Sequence, residues 1–262
     1  MAMVLLSLHV LTTHAATDME IGTVRIATGD YPPYYAASLP DGGPVAANIM
    51  IACKEANLDC KTDFLPWNRV VSMLEAGETD MTFAWSNTEQ RRVKYVFSAE
   101  PVVFGPTVVF FSKRKFPNGI HFAEFKDLVG YTMLGDESSW YAADFKKFGV
   151  KTVWMSANAN QWRMLELGRG EALIADAYQG LYTLRQQKRV SDEFMKHIGF
   201  TKQSTFKESE FNGYFMFSKS HFDKRKQRIR DSIDKAVKKL GIAATVSKIL
   251  DEQYSRDAHQ VQ

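Results

Sequence analysis

The sequence predicts an α/β protein of two similar lobes joined by two crossing strands, and three observations lead there. Short apolar runs of strand character alternate with helical stretches along the 262 residues. Met73-Leu74-Glu75-Ala76-Gly77 recurs as Met164-Leu165-Glu166-Leu167-Gly168, each copy followed by a turn, an acidic residue and a strand. The two copies are read as equivalent helix–strand units, one in each lobe. Val102 to Ser112 is apolar, rich in β-formers and too long for an edge strand of one sheet, with Gly105-Pro106 inside it. It suits a strand that leaves one lobe and enters the other.

Composition bounds the function. The chain is 45% hydrophobic and 24% charged, which suits one large or two small lobes. A net charge of +3 with scattered basic residues argues against a nucleic-acid partner. No apolar run reaches the length of a membrane span.

Residues 1–16, MAMVLLSLHVLTTHAA, read as a secretory signal peptide. Val4 to Leu11 forms the apolar stretch and Thr13-His14-Ala15 offers small residues for cleavage, although the usual basic start is missing. A buried N-terminal strand is the other reading. Export agrees with the two cysteines, Cys53 and Cys60, which sit between a helix read over Gly43 to Ala56 and a strand read over Cys60 to Leu65. A disulfide would tie the helix end to the strand start; two separate buried thiols are the alternative. No His or third Cys lies near them, so no metal site is expected.

Val24 to Thr28 is a compact strand, and Gly29-Asp30-Tyr31-Pro32-Pro33-Tyr34-Tyr35 follows it. Two prolines exclude a helix there. Three tyrosines on this stiff loop, Tyr31, Tyr34 and Tyr35, are either a stacking wall for a ligand or packing for the neighbouring loop. Leu65-Pro66-Trp67-Asn68-Arg69 opens a helix that runs to Ala76 and ends at Gly77. Trp67 either lines a pocket or belongs to the core. Asp80 opens the next strand, which ends at Trp85-Ser86-Asn87-Thr88, and two arginines follow, Arg91 and Arg92. An arginine just past the C-terminal end of a strand points toward the crevice where open α/β sheets bind ligands, and its planar fork suits a carboxylate. The local alternative is a solvated Arg-Arg pair at a helix start.

Thr88-Glu89-Gln90-Arg91, with Phe97-Ser98 and Pro101, resembles the T-P-E-R…F-S-x-P pattern of the family 3 extracellular solute-binding proteins, the periplasmic receptors of polar amino-acid ABC importers. Gln90 departs from it, because the family has Pro-Glu between Thr and Arg. Pro66-Trp67-Asn68-Arg69 is similar to the P-W-x-R variant of a divergent branch, and a strand followed by a proline-and-aromatic loop is how these proteins begin. The resemblance implies the type II periplasmic-binding-protein fold. It implies that Arg91 holds a ligand α-carboxylate, with Arg92 the rival for that role, in a pocket that includes Trp85 and Thr88.

The second lobe begins at Gly130-Tyr131-Thr132-Met133-Leu134, after a charged connection from Lys113 to Asp127. Gly135-Asp136-Glu137-Ser138-Ser139 opens a helix read over Trp140 to Lys147. Hydroxyls and free backbone N–H groups at such a start bind anions, and the family pattern implies that Ser138 and Ser139 help to hold the carboxylate. Asp136 and Glu137 fit plain capping. A strand over Lys151 to Met155 and a helix over Asn158 to Leu167 follow. Gly168-Arg169-Gly170-Glu171-Ala172-Leu173-Ile174-Ala175-Asp176 resembles the family's G-R-x-D-A-x-x-x-D, whose last aspartate takes the ligand α-ammonium. Asp176 is equally placed to cap the helix over Ala177 to Gln186. Phe211 to Phe217 reads as the returning strand, followed by an amphipathic helix over Phe222 to Leu240 and a last helix over Thr245 to Tyr254.

The expected organisation is a signal peptide over residues 1–16, lobe 1 over 17–108 plus 208–262, and lobe 2 over 109–207. No nucleophile, base, metal or phosphate-loop motif points to an enzyme or a cofactor. The resemblance implies a monomeric periplasmic receptor for a small-molecule ligand, working with an ABC permease in the inner membrane. A sensor or orphan binding protein, and an enzyme on the same fold, are the alternatives.

Overall fold

A computed structural model describes residues 21–137, 139, 141–155, 161–186, 190–201 and 210–260, without the side chains of 210, 211 and 255–260. The segment read as a signal peptide lies outside the described residues. Two sheets organise the chain. In the smaller, β1 (Val24–Thr28) pairs in parallel with β2 (Cys60–Phe64). The larger runs β3 (Thr82–Ser86), β10 (Glu210–Ser218), β5 (Val103–Ser112), β8 (Ala172–Asp176), β6 (Met133–Asp136), β7 (Thr152–Met155), with β4 (Tyr95–Phe97) on β10 and β9 (Ile198–Phe200) on β5. A single bridge, Ile26 to Met81, links the two sheets.

β5 is the strand that crosses. Val103 to Pro106 pair with β10, and Thr107 to Phe111 pair with β8. The apolar run therefore serves two groups of strands in succession, and β10 returns beside it. Its side chains Val108, Val109, Phe110 and Phe111 are buried, which is why the stretch tolerates no polar alternation.

The repeated pentapeptides end their helices identically. α2 (Trp67–Ala76) stops where Gly77 N donates to Leu74 O at 3.2 Å and Glu78 N to Met73 O at 2.9 Å, with Gly77 at φ 75°. α5 (Gln161–Glu166) stops where Gly168 N donates to Leu165 O at 3.1 Å and Arg169 N to Met164 O at 3.0 Å, with Gly168 at φ 67°. Both are Schellman endings that need a left-handed residue. Each leads the chain into the strand, β3 or β8, that carries a candidate site residue at its end.

The remaining helices cover the sheets. α1 (Pro44–Glu55) packs on α8 (Lys224–Leu240) and α9 (Ile242–Gln260). Ile229, Ile233 and Val237 form the buried stripe of α8, and Asp223 caps it by accepting from Lys226 N at 2.8 Å. Gly241 ends α8, but α9 starts at once rather than at Thr245. Arg225 fastens α8 to the sheet: its Nη1 lies 2.6 Å from Asp80 Oδ1, and its Nε donates to Ile21 O. Asp80 is buried at 4% exposure, so this pairing offsets the cost of removing its charge from water. α4 (Ala142–Phe148) starts two residues later than the sequence suggests. Tyr141 precedes it with its ring packed on Phe145. α3 (Glu89–Arg92), α6 (Ala177–Gln186) and α7 (Asp192–Lys196) complete the helices.

Cys53 near the end of α1 and Cys60 at the start of β2 are bonded, with Cα atoms 6.1 Å apart. Opening a loop this short is expected to lower stability by about 2–3 kcal/mol. Urea titration of the Cys53→Ala/Cys60→Ala protein should show that loss; an unchanged midpoint would mean the bond constrains nothing.

Candidate ligand-binding site

Thr88 caps α3, its Oγ1 accepting from Arg91 N at 3.3 Å. The cap fixes which arginine turns inward. Arg92 lies on the surface, where its Nε donates to Asn87 Oδ1 at 2.8 Å. Arg91 turns back over β3: its Nη1 donates to Ser86 O at 3.1 Å, and its guanidinium sits 4.9 Å from the centroid of the Trp85 ring. Burial pulls the Arg91 pKa down, an effect partly opposed by Tyr95. Among the described residues it has no carboxylate partner. β3 itself is distorted here. Ala84 holds φ 62°, and the pairing with β10 shifts register between Tyr214 and Met216. A left-handed non-glycine residue costs about 1–2 kcal/mol, and such strain and bulges gather beside binding sites.

Asp176 closes β8 and caps α6. Its Oδ1 accepts from Gln179 N at 2.8 Å and its Oδ2 accepts from the Tyr34 hydroxyl at 2.6 Å. The helix-capping role and a place in the cavity wall are thus combined in one carboxylate. It is 7% exposed. Burial raises its pKa to about 6, against the backbone and Tyr34 hydrogen bonds, which lower it. Gly105 on β5 makes room for this arrangement. A Cβ there would stand 2.2 Å from Asp176 Oδ2 and 2.7 Å from the Tyr34 oxygen.

Arg91 and Asp176 line one cavity of about 430 Å³. Tyr31, Trp67, Trp85 and Ser139 share the wall with them. Trp67 stands edge-on to Trp85, with ring centroids 5.3 Å apart and planes at 85°. The bare Cα of Gly29 admits its ring, since a Cβ would approach the indole to 2.3 Å. Two predicted residues are placed elsewhere. Thr88 spends its hydroxyl on the α3 cap, and Tyr34 is wholly buried behind the wall, stacked on Tyr31 and bonded to Asp176. Ser138 lies outside the described residues. Asp136 and Glu137 do not line the cavity, so they do not add negative charge to its wall. Glu137 instead faces Lys146 at 3.8 Å.

The sequence reading missed several wall residues: Tyr141, Gln161, Trp162, Gln179 and Thr183. Gln179 and Thr183 follow Asp176 by three and seven positions on α6, a spacing that shares one helix face and would have found them. Tyr35 follows from the turn: Tyr34 N and Tyr35 N both bond to Tyr31 O, and this closed turn buries Tyr34 and leaves Tyr35 on the cavity side. Gln161 and Trp162 open α5 with no local pattern to mark them.

What the wall can do chemically is bind a small dipolar molecule. It carries one cation and one carboxylate, neither with an ion-pair partner among the described residues, surrounded by aromatic faces. Among the described residues no cluster of His, Cys, Asp and Glu could hold a metal ion, and no helix is long and apolar enough to cross a membrane.

Comparison with known proteins places the fold. No curated protein matches. Among solved structures, the probable amino-acid ABC transporter extracellular-binding protein ytmK from Bacillus subtilis is similar at 18% identity and TM-score 0.66, over 90% of this chain and 98% of that one. An ancestral arginine-binding protein bound to arginine is similar at 18% identity and TM-score 0.61, over 89% and 98%. The VFT2 domain of Bordetella pertussis BvgS is similar at 15% identity and TM-score 0.64, over 86% and 92%. These likenesses show a shared two-lobed type II periplasmic-binding-protein fold. The family model of the bacterial extracellular solute-binding proteins, family 3, matches residues 24–255, and the chain belongs to that family.

Proposed function

We propose that this protein captures a small polar solute, an amino acid or a close relative, in the cavity between its lobes and delivers it to an ABC permease in the inner membrane. Lobe 1 comprises residues 17–108 plus 208–262 and lobe 2 residues 109–207, behind a signal peptide over residues 1–16 that directs the chain to the periplasm as a monomer. It works as a receptor, not as an enzyme. The observation that carries the reading is the pair Arg91 and Asp176, a half-buried cation and a buried carboxylate on the wall of one cavity. A zwitterion supplies the missing partner to each: carboxylate to the guanidinium, ammonium to the carboxylate. Charges left unpaired away from water are costly, so the site favours this class of ligand over neutral molecules. The cavity volume lies in the range of small-molecule sites.

A signalling role without an importer is the second reading. The fold is equally that of a histidine kinase sensor domain, similar at TM-score 0.63. Both readings share the cavity and its ligand class. A thermal-shift screen of the purified protein against the amino acids tests that class, because a ligand bound only by the native state raises the melting temperature. A panel without a single shift would refute the proposal.

The binding should depend on pH. A raised pKa means that folding favours neutral Asp176: its contribution to stability is fully present below the ordinary pKa near 3.8 and is lost as pH rises through about 6. An ammonium ligand requires the ionised form and works in the other direction. Affinity is therefore expected to be flat above pH 7 and about tenfold weaker at pH 5, one proton being taken up as ligand leaves. The groups that face Asp176 are the phenols of Tyr31, Tyr34 and Tyr178, all with pKa values raised and neutral throughout that range. Asp251 bonds Tyr178 from the far side. Calorimetry at pH 5 and pH 7.5 measures the ratio; equal affinities would remove the ammonium from Asp176.

A further inference from the structure

Among the described residues, one buried donor on the cavity wall has nothing to bind. Gln161, the first residue of α5, is 7% exposed and lines the cavity. Among the described residues its Nε2 has no hydrogen-bond partner. Among the described residues the other buried polar side-chain atom in this condition is Asn212 Oδ1, which does not line the cavity. The Tyr141 hydroxyl is near enough to feel the amide but makes no hydrogen bond of acceptable geometry with it, accepting instead from Asp136 N at 3.3 Å. Buried amide groups are rarely left unpaired in native structures, because the desolvated N–H is not repaid by any partner. An orphan donor on the wall of a binding cavity therefore points to a ligand acceptor.

The charge of the wall limits that ligand further. Of the described residues lining the cavity, only Arg91 and Asp176 are charged. If they hold the α-carboxylate and α-ammonium, no charge among the described wall residues remains for a side chain. A cationic or anionic side chain would enter without a counter-charge, whereas a neutral one would not. Trp162, Leu173 and Ile174 offer apolar contact to the rest of it.

We propose that Gln161 determines specificity, its amide N–H donating to an acceptor oxygen on an uncharged side chain of the bound amino acid. The inference rests on the Arg91–Asp176 reading and adds the side-chain class to it. A site built to hydrogen-bond a ligand group rejects the analogue that lacks it more strongly than a hydrophobic wall rejects a missing methylene. Calorimetric titration at pH 7.5 with L-glutamine, L-asparagine, L-methionine, L-arginine and L-glutamate tests it, on the wild-type protein and on Gln161→Leu and Gln161→Glu. In the wild type, glutamine or asparagine is expected to bind at least about tenfold tighter than methionine, arginine or glutamate. Gln161→Leu should reduce that advantage by about tenfold while leaving methionine within about threefold, and Gln161→Glu should shift preference toward arginine. Wild-type protein that prefers methionine or a charged side chain overturns the inference, whatever the variants do. So does a Gln161→Leu protein with a normal melting temperature that weakens all ligands alike. Wild-type protein that binds no amino acid overturns the clamp reading, and this inference with it.

Discussion

Arg91→Ala is expected to weaken binding of the screened amino acid by roughly 30-fold or more. In the proposed complex the ligand carboxylate would leave water and meet a guanidinium that is half-buried against Trp85. Removing one partner of such a pair leaves the other charge buried alone, at a cost of about 2–5 kcal/mol. Arg91→Lys should recover only part of the loss, because an ammonium keeps the charge but not the two-pronged geometry. The fold should be indifferent. Among the described residues Arg91 makes one side-chain hydrogen bond, to Ser86 O, and leaves the Thr88 cap to its backbone N–H. Asp176→Asn is the matching change at the carboxylate. Asparagine still caps α6, so the lost affinity reports the charge rather than the helix. Near-wild-type affinity in either variant, measured by calorimetry, would contradict a two-sided clamp.

Gly105→Ala should be nearly as damaging, although position 105 does not line the cavity. A Cβ there would overlap Asp176 Oδ2 at 2.2 Å, Asp176 Cγ at 3.2 Å and the Tyr34 oxygen at 2.7 Å. Neither neighbour can step aside freely. The carboxylate is pinned by Gln179 N, and the Tyr34 ring is fully buried. Displacing them is expected to cost about 1–3 kcal/mol of stability and, because Asp176 leaves its ligand position, to weaken binding by at least about tenfold. Thermal melting together with titration separates the effects. A lower melting temperature with unchanged affinity would make Gly105 a packing residue only.

Much of this was visible in the sequence because it depends on local patterns. The two pentapeptides ending in Gly77 and Gly168 predicted equivalent units, and their endings share the same hydrogen bonds. The length and apolar character of Val102 to Ser112 marked the crossing strand, and β5 pairs with β10 and then with β8. The side-chain assignments were less legible. Arg91 and Arg92 are adjacent on a short helix, and only the Thr88 cap and the path of β3 decide which one turns inward. Three tyrosines on one loop look alike in sequence, yet the turn around Tyr31 buries Tyr34 and leaves Tyr35 on the wall. Gln161 has no local signal at all. It becomes a wall residue only when α5 is set against β6, β8 and β5.

The most direct test of the central claim is a crystal structure of the protein with the amino acid that gives the largest thermal shift. The account predicts the ligand α-carboxylate within hydrogen-bond reach of the Arg91 guanidinium and its ammonium against Asp176. A ligand seated with its carboxylate turned away from Arg91, or bound outside the cavity that Arg91 and Asp176 share, would contradict it.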